Sequence, residues 1–507
     1  MPTEAVVHPM DPMKTSQAVG SGGAWARVIR GGLVAAAVAV TATGCESSAT
    51  NSGADATPAD ASTDRATPAD LGATDVPADR GLVALDVPDA TTTDVPMDVP
   101  MDLPVDVPMD LPMDVPVDVP VDVPADVPLR CDDVGCYSPV VSVAAGASNT
   151  CAALENGRVL CLGWDGNGVL GGGASDGGVG GATEVRGLPP IAEVTLDGNF
   201  ACARTAGGEV WCWGDNRTGQ IGTGSIAGDA GAAVLTPTRV LGLDDARRVM
   251  SGSGYSCAIR ADATLWCWGS NGANQLGLGT APTPASAPTR VPGLSGVVTA
   301  SVGGHTCAVT TAGVVSCWGA NTVGQASGVA TVESVPMPAA VAGVGPARSV
   351  AVGRGFTCAL LTSGEVWCWG ENTGGRLGRP GAGLTVGPGL VPGLTDAVEL
   401  SGGTDGMCAR LGDGRVSCFG LQRDGELGTG VMSGAVAPTI VTGLPPTAAL
   451  TSAIFSDAPS LSNHRCALTG PAGARRRVYC WGPNGFGQLA EGTQTTALRP
   501  VEATLLP

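Results

Sequence analysis

Lysine is almost absent from this chain. Lys14 is the only one in 507 residues, and residues 130–507 carry 22 basic against 26 acidic side chains. Binding nucleic acid takes a basic face that neutralises phosphates, so no nucleic-acid partner is expected. Histidine is nearly as scarce: after His8 there are only His305 and His464. Each stands two residues before a cysteine, in a slot filled elsewhere by Asn149, Phe200, Tyr255, Phe356 and Gly406. That recurrence marks a packing or loop position, and no Ser-His-Asp or Cys-His set can be assembled around it. Long apolar runs are missing too. Residues 31–43 (GGLVAAAVAVTAT) number thirteen, short of the ~20 that a membrane-crossing helix needs.

That short run follows Arg27 and Arg30 and ends in small residues, the pattern of a secretory signal. Its last residues, Ala42-Thr43-Gly44-Cys45, resemble the lipobox of bacterial lipoproteins, with Ala42 where that family usually has leucine. The resemblance implies lipidation at Cys45 and a lipid-anchored place in the bacterial cell envelope. Glu46 after the anchor points to the outer membrane. An ordinary secreted protein is the alternative if the lipobox is not used.

Residues 46–129 hold 18 acidic and 2 basic side chains and most of the net charge of −19. From Asp94 the chain repeats Asp, an aliphatic residue and Pro on a four-residue period. Proline fixes its own φ and pushes the preceding residue into extended conformations, and regular carboxylates repel one another. The tract is expected to be an extended spacer of at most ~250 Å, at about 3 Å per residue. Singly presented carboxylates do not converge on one cation.

Fourteen cysteines in residues 140–507 fall in seven pairs: Cys151/Cys161, Cys202/Cys212, Cys257/Cys267, Cys307/Cys317, Cys358/Cys368, Cys408/Cys418 and Cys466/Cys480. The first members lie 51, 55, 50, 51, 50 and 58 residues apart, the mark of a stacked supersecondary unit. Within each unit, short apolar runs are bounded by glycine and proline without helical period. These are strands, four to a unit, and seven small sheets set radially make an all-β, seven-bladed propeller. A three-residue turn at Ala261-Asp262-Ala263 sets Ile259 against Leu265, Ala258 against Trp266 and Cys257 against Cys267. Strand alternation then puts Trp266 and Trp268 on the face opposite the cysteine. Zinc sites favour spacings of two to four and often histidine, so the pairs are expected to be disulfides, as is an eighth pair, Cys131/Cys136. Sixteen paired cysteines suit an oxidising compartment.

Stretches such as VWCWGDNRTGQIG (210–222), LWCWGSNGANQLG (265–277), GGHTCAV (303–309) and GEVWCWGEN (364–372) resemble the repeats of the regulator of chromosome condensation family. The resemblance implies a seven-bladed ring closed by pairing the two chain ends, Val140–Val143 with Pro500–Ala503. It also makes protein recognition plausible, and excludes the nuclear exchange role of the namesake for an exported chain.

No cofactor or metal is expected. Gly171–Gly173 and Gly177–Gly181 lack the strand-to-helix context of a dinucleotide loop. Asp165-Gly-Asn-Gly168 lacks the ligand and turn glycine of a calcium loop; Asp165 stands where other repeats have asparagine. Repeat seven inserts four residues in its hairpin, and Arg475, Arg476 and Arg477 there are a candidate docking site for an acidic partner, or a solvated tip. The organisation read from the sequence is therefore a signal at 1–45, a linker at 46–129 and a propeller at 130–507. The function expected is binding of a protein or glycan at the cell surface by a monomer, without catalysis. The alternatives are a glycan hydrolase or lyase using acidic residues at the ring centre, and a passive adhesin.

Overall fold

A computed structural model describes residues 130–132, 135–174, 178–226, 233–279, 283–380, 383–432, 434–452, 463–471 and 475–506. The signal, Cys45 and the Asp-Val-Pro tract lie outside them. The chain divides into units 1–110 and 111–507, and every described residue belongs to the second.

Seven four-stranded antiparallel sheets follow one another along the chain, each ordered as its strands occur in sequence. They are blades one to seven, at residues 140–184, 191–239, 246–290, 297–340, 347–390, 397–440 and 447–502. In blade three the strands are Ala246–Gly252, Tyr255–Arg260, Leu265–Gly269 and Ala285–Arg290. Register follows the alternation of the sequence, with Ile259 opposite Leu265, Ala258 opposite Trp266 and Cys257 opposite Cys267. The turn residue Ala263 takes φ 60°, where five other blades place Gly157, Gly208, Gly313, Gly364 and Gly414; the αL step closes a three-residue hairpin.

All seven repeat pairs are disulfides, each with a Cα–Cα distance of 4.1 Å. In blades one to four they are Cys151–Cys161, Cys202–Cys212, Cys257–Cys267 and Cys307–Cys317. In blades five to seven they are Cys358–Cys368, Cys408–Cys418 and Cys466–Cys480. The last spans 14 positions rather than 10, yet keeps the same Cα–Cα distance, so the insertion in repeat seven is absorbed by its hairpin loop. A backbone hairpin before the ring sets Cys131 opposite Cys136 in register.

The core lies between blades rather than within them. A strand pair has two faces, and in a ring each face meets a neighbour. The disulfide of one blade packs beneath the third-strand aromatic of the next: Cys202 and Cys212 with Trp268, Cys257 and Cys267 with Trp318, Cys307 and Cys317 with Trp369. So do Cys151 and Cys161 with Trp213, Cys358 and Cys368 with Phe419, and Cys408 and Cys418 with Trp481. The first strands line the centre, where a cavity of about 290 Å³ is bordered by Ser142, Glu193, Thr195, Arg248, Glu399 and Thr451 among others.

Ring closure differs from the expectation. The last strand, Ala497–Glu502, pairs with Arg477–Gly482 inside blade seven, and Val140–Ala145 pairs with Asn149–Leu154 inside blade one. The two terminal strands therefore share no sheet. The reason is the phase of the repeat: from Val140 to Glu502 it contains seven complete four-strand units, and no strand is left over to exchange.

Candidate functional site

Two sets of connections share one face of the ring: those between first and second strands, and those after the third strand. The second set is built by two recurring side chains. An asparagine after the third strand accepts the N–H five residues on, as in Asn216 to Ile221 (3.2 Å), Asn271 to Leu276 (3.0 Å) and Asn372 to Leu377 (2.9 Å). Asp165 does the same for Leu170 at 3.0 Å, so it fills the asparagine position. A glutamine then folds back on the N–H two residues before it, as Gln220, Gln275, Gln325 and Gln488 do at 2.8–3.0 Å.

Blades one, five and six break the second rule, with Val169, Arg376 and Glu426 in the glutamine position. Arg376, 7% exposed, keeps a bond to the Thr373 carbonyl of its own turn at 3.1 Å and also crosses the seam. Its Nε donates to Asp405 Oδ1 of blade six at 2.8 Å, and another guanidinium nitrogen donates to Glu371 at 2.5 Å. Asp405, also buried, takes Arg423 Nε on its second oxygen at 3.0 Å. Two arginines thus hold one carboxylate by charge-assisted bonds. The bond to Asp405 holds the Arg423 guanidinium above its usual range.

Glu426 keeps the glutamine's task, accepting the N–H groups of Arg423 and Asp424. Burial pushes its carboxyl above the usual range. Arg465 of blade seven donates to the Ser401 and Gly406 carbonyls at 3.2 and 2.7 Å. Burial pulls its guanidinium down to about 10, against the pull of Glu426. This sector is an ionic lattice across three blades, with Arg354 exposed beside it.

The paired cysteines take no part in this face. Cys161, Cys368, Cys418 and Cys480 lie in third strands and are buried, as are their second-strand partners Cys151, Cys358, Cys408 and Cys466. They are staples of the scaffold, with no thiol left to act as nucleophile or ligand.

His305 and His464 are not at a surface. Both are fully buried at seams, with Nε2 2.6 Å from a threonine of the next blade, Thr357 and Thr150 respectively. Each threonine gives its single proton to a carbonyl, Gln325 or Gln488, at 2.7 Å, so each histidine must donate from Nε2. Burial pulls both imidazoles down to about 3. Tyr255 plays the same part, its hydroxyl 2.7 Å from Thr306.

Arg477 opens the third strand of its blade opposite Thr469 and meets Glu502 at 3.1 Å, while Arg475 and Arg476 are half-buried. At the ring centre, Glu193 accepts from Arg204 at 2.8 Å and Glu399 from Arg410 at 2.7 Å. Both central carboxylates are therefore ion-paired within their own blades. Among the described residues no group of three or more His, Cys, Asp or Glu side chains is placed to hold a metal.

The regulator of chromosome condensation (RCC1) repeat matches residues 140–169, 207–259, 262–309 and 347–376. Four stretches of blades one to five thus resemble RCC1 repeats. The human probable E3 ubiquitin-protein ligase HERC6 is 29% identical over 166 residues, 32% of this chain and 16% of that one. The ultraviolet-B receptor UVR8 of Arabidopsis thaliana is 31% identical over 146 residues, 28% of this chain and 32% of that one. The chain thus spans less than a third of the length of these curated relatives. Among solved structures, human WBSCR16 superposes with a TM-score of 0.56 at 21% identity, covering 64% of this chain and 91% of that one. Yeast RCC1 (Prp20), solved bound to Kap60, gives 0.57 at 20%, covering 68% and 83%. At these identities the superpositions establish the fold. In this chain the propeller carries seven disulfides among the described residues. Sequence reasoning misses the Arg376–Asp405 link, although its signal is there: an arginine in a column otherwise held mostly by glutamine.

Proposed function

We propose that this chain is a surface-tethered, disulfide-stapled propeller that recognises a protein or glycan through the loop face of blades five to seven, and does no chemistry of its own. The observation that carries this reading is the Arg376–Asp405–Arg423 link. It replaces a self-contained turn with a cross-blade lattice, which pre-orders a charged surface at little entropic cost on binding. Loops on a rigid scaffold are where binding residues concentrate. The signal, Cys45 and the spacer support tethering at the bacterial envelope, and the near-balanced charge of the repeats supports a partner other than nucleic acid.

The test immobilises the oxidised mature chain and offers it envelope and culture fluid, with retained material read by mass spectrometry and glycan analysis. One stoichiometric partner is expected, lost at least tenfold in Arg354→Glu/Arg423→Glu and kept in Arg415→Glu, a control on an exposed hairpin-turn arginine. A glycan recovered shortened would instead favour an enzyme using Glu193 or Glu399. Retention unaffected by the first variant would reject the face. Tethering is checked separately: Cys45→Ser should move the protein from the membrane fraction to the medium.

A further inference from the structure

Seven seams hold the ring together, and they are not equal. Each of the seven disulfides lies within one blade, and each sheet is confined to one blade. Parting a seam therefore breaks no disulfide of these seven and, among the described residues, no strand ladder. At six seams the polypeptide itself still crosses, running from the fourth strand of one blade to the first strand of the next. Between blades seven and one it does not, and non-covalent contacts alone make that join.

The same seam is the one without a third-strand aromatic. Where Trp213, Trp268, Trp318, Trp369, Phe419 and Trp481 fill the other six, blade one supplies Leu162 against Cys466 and Cys480. The valine position closing the fourth strand, held by Val185, Val240, Val291, Val341, Val391 and Val441, is Ala503. A cavity of about 500 Å³ opens beside Leu162, Val179 and Leu505, and one of about 360 Å³ lies between blades five and six, where the aromatic is Phe419.

Near its loop face the seam is bridged by the Ala145 N–H donating to Thr451 Oγ1 at 3.3 Å and by a relay from His464 through Thr150 to the Gln488 carbonyl. Because Nε2 donates, Nδ1 is the basic nitrogen, and it has no hydrogen-bond partner among the described residues. A proton added there would carry a charge and a donor into a buried join.

We infer that the ring opens between blades seven and one, with His464 as the acid-sensitive latch. His305 is the internal control, since it makes the same bond to Thr357 at a seam that has its indole, Trp369, and its chain crossing. The charged groups around His464 are few. Its neighbour Arg465 is turned to carbonyls of blade six. Glu426 lies beside it, the Cα atoms of both residues flanking Gly482. The first two strands of blade one, Val140–Ala145 and Asn149–Leu154, contain no charged residue. Glu426, raised by burial, favours the closed ring as pH falls; it opposes the latch and is unchanged in the variants compared below.

Hydrogen exchange read by mass spectrometry on the full oxidised chain tests this, with rates corrected for the chemical effect of pH. With an ordinary pKa of about 6.5 in the open state, acidification from about pH 7 to 5 should raise the open population about 25-fold. The Ala145 amide, which donates across this seam to Thr451 Oγ1 at 3.3 Å, should lose protection by that factor, while the Val352 amide, which donates to Ser301 Oγ across the His305 seam at 3.1 Å, should keep its protection. His464→Tyr, which copies the Tyr255–Thr306 pair, should abolish the loss at Ala145, and His305→Tyr should leave it intact. Leu162→Trp/Ala490→Gly, which fills the seam without touching His464, should also suppress opening and keeps the test open if His464→Tyr does not fold. The inference is overturned if acid leaves the Ala145 amide protected, or if the two histidine variants act alike on the Ala145 and Val352 amides, which would mean global unfolding.

Discussion

The indole Nε1 of Trp268 in blade three donates to the carbonyl of Gln220 in blade two at 2.9 Å. The same bond joins Trp213 to Val169, Trp318 to Gln275, Trp369 to Gln325 and Trp481 to Glu426, at 2.8–3.0 Å. Five buried indoles therefore act as pegs, each satisfied by the neighbouring blade. Each lies against a disulfide of that neighbour, so the covalent staple and the peg form one layer.

The peg needs a backbone without a side chain beneath it. A Cβ on Gly222, Gly277 or Gly428 would lie 2.6–2.8 Å from an indole nitrogen. At the one seam where the peg is Leu162, the glycine has become Ala490, still at φ 58°. Leu162→Trp alone should therefore destabilise by about 1–3 kcal/mol through overpacking. Adding Ala490→Gly should recover that loss and more, with a coupling energy above ~1 kcal/mol. Urea midpoints of the two single variants and the double variant check this; additive effects would show that indole and methyl do not compete.

The architecture is legible in the sequence because each unit carries its own punctuation. Cys257 and Cys267 flank nine residues, and that spacing alone sets the hairpin register observed. The faces of Trp268 and Cys267 also follow from alternation. Closure is not legible in this way: the terminal strand 497–502 has the same local pattern whichever sheet it joins, and only the count of complete units decides. Cross-blade partners are equally hidden. Thr150 and His464 lie 314 positions apart, and no local period relates them.

Removing one staple should cost more than its loop. In the chain-entropy view a bridge closing about ten residues contributes roughly 2–3 kcal/mol. Cys257→Ala/Cys267→Ala also empties buried space against Trp318, which adds a cavity cost. We expect a total loss of about 3–4 kcal/mol by chemical denaturation. A loss under ~1 kcal/mol would mean the sulfurs are not bonded in the native protein.

The lattice of blades five and six yields a reversal of the consensus rule. Arg376→Gln restores the residue most other repeats carry, yet it strips one partner from buried Asp405. It should destabilise by about 1–3 kcal/mol. Asp405→Gly, which copies Gly254 and Gly355 in the matching loops, leaves Arg376 short of a partner and should cost a comparable amount. The double variant should lie near the wild type, within about 1 kcal/mol. Thermal unfolding of the four proteins settles it, and a destabilised double variant would show that the two residues act separately.

Acid should weaken the whole ring through its histidines, and the sign follows from burial. His305 and His464 are held near 3 in the fold against about 6.5 in the unfolded chain. A depressed folded pKa stabilises fully above ~6.5, and the contribution is lost as pH falls toward about 3. Each histidine should impose a slope of about 1.4 kcal/mol per pH unit in that window. Replacing His305 by Tyr should remove one histidine's share of the slope, and replacing both should remove the histidine part entirely while leaving that of the ion-paired carboxylates. Unfolding midpoints at about pH 7, 6, 5 and 4 read this directly. A slope unchanged in the double variant would mean that protons enter elsewhere and that the imidazoles are not sealed in their seams.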